Sequence, residues 1–219
     1  NIPGDDTGLG IVPWCVTKCI KFGTNLNAYT SVDQTVYNIS NVPTENPNVV
    51  DSCLLILHDW SNAINLADKE IDKARGVIRE EWRSRNSGIL RIMTDAQPTL
   101  YPDSKYADCM PIGSIDVINT FPYQAIRDYY AKWYRPDLQG IVIVGDITAV
   151  EMEAKLKKVF EDVKAPVNPA ERIYYPVSDN QEPLIYIGTD KEVKNPSVNI
   201  FFKHEATPDS LKNTISYYA

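Results

Sequence analysis

Apolar residues recur at helical spacing in two long stretches of the chain. After Pro47, the positions of Val50, Cys53, Leu54, Leu57 and Trp60 predict a helix to about Ala63. From Asp68, the positions of Ile71, Ala74, Val77, Ile78 and Trp82 predict a second helix through Glu81, with a pattern that allows continuation to about Ala96. Shorter helices are expected where Thr120 can cap and Pro122 opens the first turn of a run to Trp133, and where Thr148-x-x-Glu151 forms a capping box before a run to about Asp162. Thr207-Pro208 starts a last one. Strand patterns differ. Asn25 to Thr30 and Thr35 to Ser40 flank a polar turn at Ser31-Val32-Asp33-Gln34. Ile141 to Val144 reads as a short buried strand closed by Gly145-Asp146, and two further strands are expected near Leu184–Gly188 and Val198–Lys203. Pro3-Gly4 is a turn, and Gly8, Gly10 and Pro13 interrupt any helix before Trp14. Pro98, Pro102 and Pro111 mark a long loop carrying Tyr101, Tyr106 and Ile112-Gly113. Strand pairs mixed with helices predict an α+β fold rather than a doubly wound sheet.

Composition narrows the function. The 219 residues hold 22 basic and 29 acidic side chains, a net charge of −7. That argues against a nucleic-acid binder, which needs a basic face, and disfavours docking on anionic membranes. No apolar run approaches the roughly 18 residues of a membrane span, since the longest burst, Cys53 to Leu57, stops at His58-Asp59. No signal-peptide pattern follows Asn1. Cys15, Cys19, Cys53 and Cys109 are too few for a disulfide scaffold. They read as small buried thiols; the alternative is a metal shared by Cys15 and Cys19, with only His58 and His204 to join them.

Candidate chemistry lies on the second long helix. With Ile78 as reference, Ile71, Ala74 and Trp82 fall within roughly 40° of it, Glu81 about 60° away and Glu80 about 160° away. Glu80 is therefore expected in solvent and Glu81 partly buried. A buried carboxylate must be paired, hydrogen-bonded or bound to a metal. Two readings stand on geometry: a structural ion pair with Arg85, four residues on, or metal ligation.

Three segments resemble the pitrilysin/insulysin-type zinc peptidases, the inverzincins. Lys21 to Ser31, followed by Thr35-Val36-Tyr37, resembles the family's Asn-Ala-aromatic-Thr strand. Ala74 to Glu81 resembles its distal metal-ligand helix. Tyr129 to Asp137, then Val142 to Asp146, resembles its helix-Tyr-Arg-Pro, strand and Gly-Asp signature. The resemblance implies a sheet with helices packed on one face. It implies that Glu81 is a zinc ligand, that Asn27, Ala28, Tyr29 and Thr30 form an edge strand that binds substrate, and that zinc is the cofactor of the full-length parent. The family's two histidine ligands and general base come from H-x-x-E-H. That motif is absent here, and in the family it precedes a Pro-Gly turn like Pro3-Gly4. The chain is thus expected to be truncated at its N-terminus, with zinc absent from it and no catalytic residue of its own. Ala74 stands where the family usually has a supporting glutamate.

The expectation is a fragment of a zinc metalloendopeptidase acting on peptides or unfolded polypeptides. Residues 1–165 would form a first domain, 166–176 a Pro-rich linker and 177–219 the start of a related second domain. Its partners would be the substrate and the second half of the same protein, in a periplasmic or secreted home. The alternative is a non-catalytic homologue that holds peptides or a partner subunit.

Overall fold

The structure is a computed structural model that describes residues 10–204 and 210–218. The chain divides into two compact units. The first runs to Ser84 and resumes over Cys109–Tyr174; the second comprises Arg85–Asp108 and the residues from Tyr175 on.

In the first unit, α1 (Ile11–Thr17) follows Gly10, whose φ of 96° suits glycine. The expected interruption at Pro13 does not occur. Proline in a first turn forfeits an N–H that has no helical partner anyway, so Trp14 sits inside the helix. The expected Pro3-Gly4 turn lies outside the described residues. Strands β1 (Leu26–Thr30) and β2 (Thr35–Ile39) form an antiparallel hairpin, with Leu26 opposite Ile39 and Thr30 opposite Thr35. Its turn closes where the Ser31 amide donates to the Gln34 carbonyl at 2.8 Å. Helix α2 (Pro47–Asn62) opens with Pro47 in its first turn, as expected, and Asn46 Oδ1 caps it by accepting from the Asn48 amide. Trp14, Cys15, Ile20, Leu26, Val49, Cys53 and Ile56 bring α1, the hairpin and α2 into one core.

Helix α3 (Asp68–Arg85) ends where Asn86-Ser87 breaks the pattern. The allowed continuation to Ala96 is in fact α4 (Gly88–Leu100) in the second unit, capped when Ser87 Oγ accepts from the Leu90 amide. The expected long loop contains a short 3-10 turn at Lys105–Asp108 and α5 (Ile115–Thr120). Thr120 ends α5 rather than capping α6 (Tyr123–Trp133), whose N-cap is Pro122. Helix α7 (Ala149–Val159) has Thr148 at its N-cap, but the expected side-chain bond of a capping box is not made. The expected start at Thr207-Pro208 lies outside the described residues, and α8 covers Leu211–Tyr218.

Three expected strands are corrected. Among the described residues the hairpin is the only sheet, and 141–144, 184–188 and 198–203 pair with nothing. Val142 and Val144 are 85% and 91% exposed, so the expected burial fails too. β-branched residues favour an extended chain locally, but a strand also needs a neighbour to complete its ladder and cover its side chains.

In the second unit, α4 is gripped by the turn at Asp190. The Arg91 guanidinium donates to both Asp190 oxygens at 2.8 and 2.9 Å and pairs with Glu192 at 2.8 Å. The Gly88 amide donates to Glu192 Oε2 at 3.0 Å.

Candidate functional site

Helix α3 carries the candidate ligand, and three side chains fix how it lies in the first unit. Arg127 of α6 donates to the Leu66 carbonyl and pairs with Asp68. Tyr123 donates its hydroxyl to Asp72 at 2.7 Å. Arg75 donates to the carbonyls of Ile118 and Phe121 and lies 3.9 Å over the Phe121 ring.

On the helix so held, Glu81 is half-buried and Glu80 is exposed, paired with Arg83 at 2.8 Å. That is the order the helical angles predict. The apolar stripe is covered unevenly. Ile71 is buried, whereas Ile78 and Val77 are 38% and 67% exposed. At the far end of the stripe Glu81 and Trp82 are half-buried, whereas Ala74, two turns before Glu81, is exposed. Among the described residues, no group of three or more His, Cys, Asp or Glu side chains could hold a metal. Glu81 offers a carboxylate suited to one position of a zinc site, but one carboxylate is not a site.

The four substrate-strand candidates sit together on β1, and all are exposed. Pairing alternates along an antiparallel ladder. Ser31 bonds Gln34 and Ser40 bonds Asn25, so the same alternation turns the N–H and C=O of Asn27 and Tyr29 toward β2. Ala28 and Thr30 then point theirs at the other edge. That edge carries one bridge at its start, Phe22 to Leu26, and no strand among the described residues. The Ala28 amide donates to Asn27 Oδ1 at 2.8 Å. Ala28 shares a face with Tyr37, and Tyr29 shares the opposite one with Val36.

Tyr37 itself was not a candidate. Its hydroxyl lies 2.6 Å from that of Tyr134, and its ring packs 5.3 Å from Trp60. It therefore ties the strand behind the open edge to α2 and to the end of α6. Burial first, and then the bond to Tyr134, pushes the Tyr37 hydroxyl pKa well up, so it stays neutral. No local pattern announces a partner so far away in sequence.

The cysteines form no metal pair. Cys15 and Cys53 are buried in the core, and burial pushes the Cys53 thiol up to about 11. Cys19, by contrast, is exposed, which corrects the buried-thiol reading there.

The sequence matches two family models: insulinase (peptidase family M16) over residues 16–97 and peptidase M16 inactive domain over residues 120–215. It is 32% identical to the probable zinc protease PqqL of Escherichia coli over 185 residues, which is 84% of this chain and 20% of that protein. It is 36% identical to the probable zinc protease PqqL of Haemophilus influenzae over 139 residues, 64% of this chain and 15% of that protein. The chain thus spans a fifth or less of the length of these curated relatives. The crystal structure of the first half of the periplasmic protease PqqL from Escherichia coli superposes with a TM-score of 0.70 at 32% identity, covering 77% of this chain and 36% of that one.

Proposed function

The chain belongs to the M16, insulinase-type family of zinc peptidases, and from that premise we propose that it is part of a zinc metalloendopeptidase hydrolysing peptides or unfolded polypeptides. The observation that carries this is the half-buried Glu81 beside its exposed neighbour Glu80, on a helix inside the matched segment. In this reading Glu81 is one zinc ligand, and the other ligands and the general base lie elsewhere in the full-length protein. The described residues supply no more than one ligand of that site, and the isolated chain is expected to be inactive.

The chain's own contribution is to bind substrate. Asn27, Ala28, Tyr29 and Thr30 offer an open edge, and an extended peptide adds to it by main-chain bonds to Ala28 and Thr30. Such bonds do not read side chains, which suits an enzyme that accepts many sequences.

We place the passage between two related domains at 166–176, after a first domain over 1–165 and before a second over 177–219. The first compact unit ends at Tyr174, inside this passage, although Arg85–Asp108 groups with the residues from Tyr175 on. The partner is the second half of the same protein. The likeness to a periplasmic protease supports a periplasmic or secreted home. No helix among the described residues is long and apolar enough to cross a membrane.

The test is made in the full-length protein. Glu81→Gln is expected to abolish peptidase activity and bound zinc, with a much smaller effect from Glu80→Gln. Equal losses, or the reverse order, refute the assignment. The exposed Ala74 keeps a second reading open, that of a non-catalytic homologue which holds peptides. A full-length protein without zinc would favour it.

A further inference from the structure

His58 stands between two carboxylates on different elements of the first unit. Its Nδ1 lies 3.0 Å from Asp59 Oδ1 on its own helix, α2. Its Nε2 lies 3.0 Å from Oδ1 of Asp162, in the turn after α7. The side chain is only 12% exposed, and the ring meets Phe160 edge-on with centroids 5.5 Å apart. A neutral imidazole has one N–H and one lone pair. In either tautomer, one ring nitrogen would face a carboxylate oxygen lone pair to lone pair. Only the imidazolium, with two N–H donors, satisfies both contacts.

We propose that His58 is a pH-operated latch, fastening the end of α7 to α2 while protonated and releasing it when the proton leaves. The charged groups around it fit this role. Asp59 faces it from α2 and Asp162 from the α7 turn, and the Lys164 charge acts on Asp162. The ion pair of Lys155 with Asp51, at 2.6 Å, joins the same two helices seven residues earlier on each, so release is local to the end of α7. Burial is the largest single effect on His58 and lowers its pKa. The hydrogen bonds that His58 donates to Asp59 and Asp162, with their charges, outweigh it and raise the net value. A raised folded pKa gives stability that is complete below the ordinary value of about 6.5 and is lost as pH rises through the folded one.

The test is hydrogen exchange by mass spectrometry on the full-length protein, corrected for intrinsic rates and followed over pH about 5.5–9. It reads the amides at the end of α7, where Phe160 bonds Leu156 and Val163 bonds Phe160. Their protection is expected to fall at least about threefold as pH rises through the His58 range. His58→Gln should give low protection that does not vary with pH. Asp162→Asn, at a side chain 65% exposed, should move the fall to lower pH. Flat protection in the wild type, or the same fall in His58→Gln, overturns the latch. If His58→Gln does not fold, an unchanged midpoint in Asp162→Asn overturns it instead.

Discussion

Gly88 shows how far a single residue can be read. A Cβ added there would lie 2.7 Å from Asp190 Oδ1 and 3.0 Å from Val193 Cγ2. Asp190 cannot swing aside, because Arg91 holds both its oxygens. Gly88→Ala is therefore expected to cost about 1–3 kcal/mol of stability, measured by urea unfolding. The Arg91 guanidinium and then the Glu192 amide hold the Asp190 carboxyl down to about 2. A depressed folded pKa gives stability that is present above the ordinary value of about 3.9 and is lost only as pH falls through about 2. The grip should therefore survive mild acid in the wild type and weaken at higher pH in Arg91→Gln, seen as an Asp190 titration moved upward. None of this was legible in the sequence, since Gly88 and Asp190 meet only through the fold. The orientation of Glu81 against Glu80 was legible, because it depends on helical geometry within a few residues.

At the scale of elements, the same distinction separates what the sequence predicts from what it misses. The hairpin follows from two strand-like runs around a polar turn and α2 from helical spacing after Pro47, and they form as expected. The runs at 141–144, 184–188 and 198–203 look like strands locally but lack a ladder partner, which no local signal can supply. The hairpin also yields a paired test. The Ala28 amide points to the open edge, so Ala28→Pro removes a donor that only Asn27 Oδ1 receives in the described structure. The Tyr29 amide points into the ladder with β2, so Tyr29→Pro removes a strand-pairing bond. Ala28→Pro should keep its thermal midpoint within a few degrees while full-length peptide affinity falls. Tyr29→Pro should lose much more stability. Unchanged affinity in a folded Ala28→Pro variant would rule out the docking edge.

For the whole molecule, the question is how much of a metal site 219 residues can carry. The matches to both M16 models show the family, and the proposed reading gives the half-buried Glu81 and the open strand β1 their place in it. Yet the described residues gather no cluster of metal-binding side chains. Stable zinc sites use three or four protein ligands, and each ligand removed weakens the chelate steeply. A lone carboxylate also competes with water for the ion. The isolated chain is therefore expected to retain well under one equivalent of zinc after dialysis, measured by metal analysis. The full-length protein should retain about one and lose it on Glu81→Ala. The contrast separates two explanations of an inactive chain. If the chain misfolds, its circular dichroism will lack the helices assigned here, and its zinc content says nothing about Glu81. If it folds and binds no zinc, the missing ligands lie in other segments of the protein. A tightly held equivalent on the folded chain, lost on Glu81→Ala, would show instead that these 219 residues complete a site unaided.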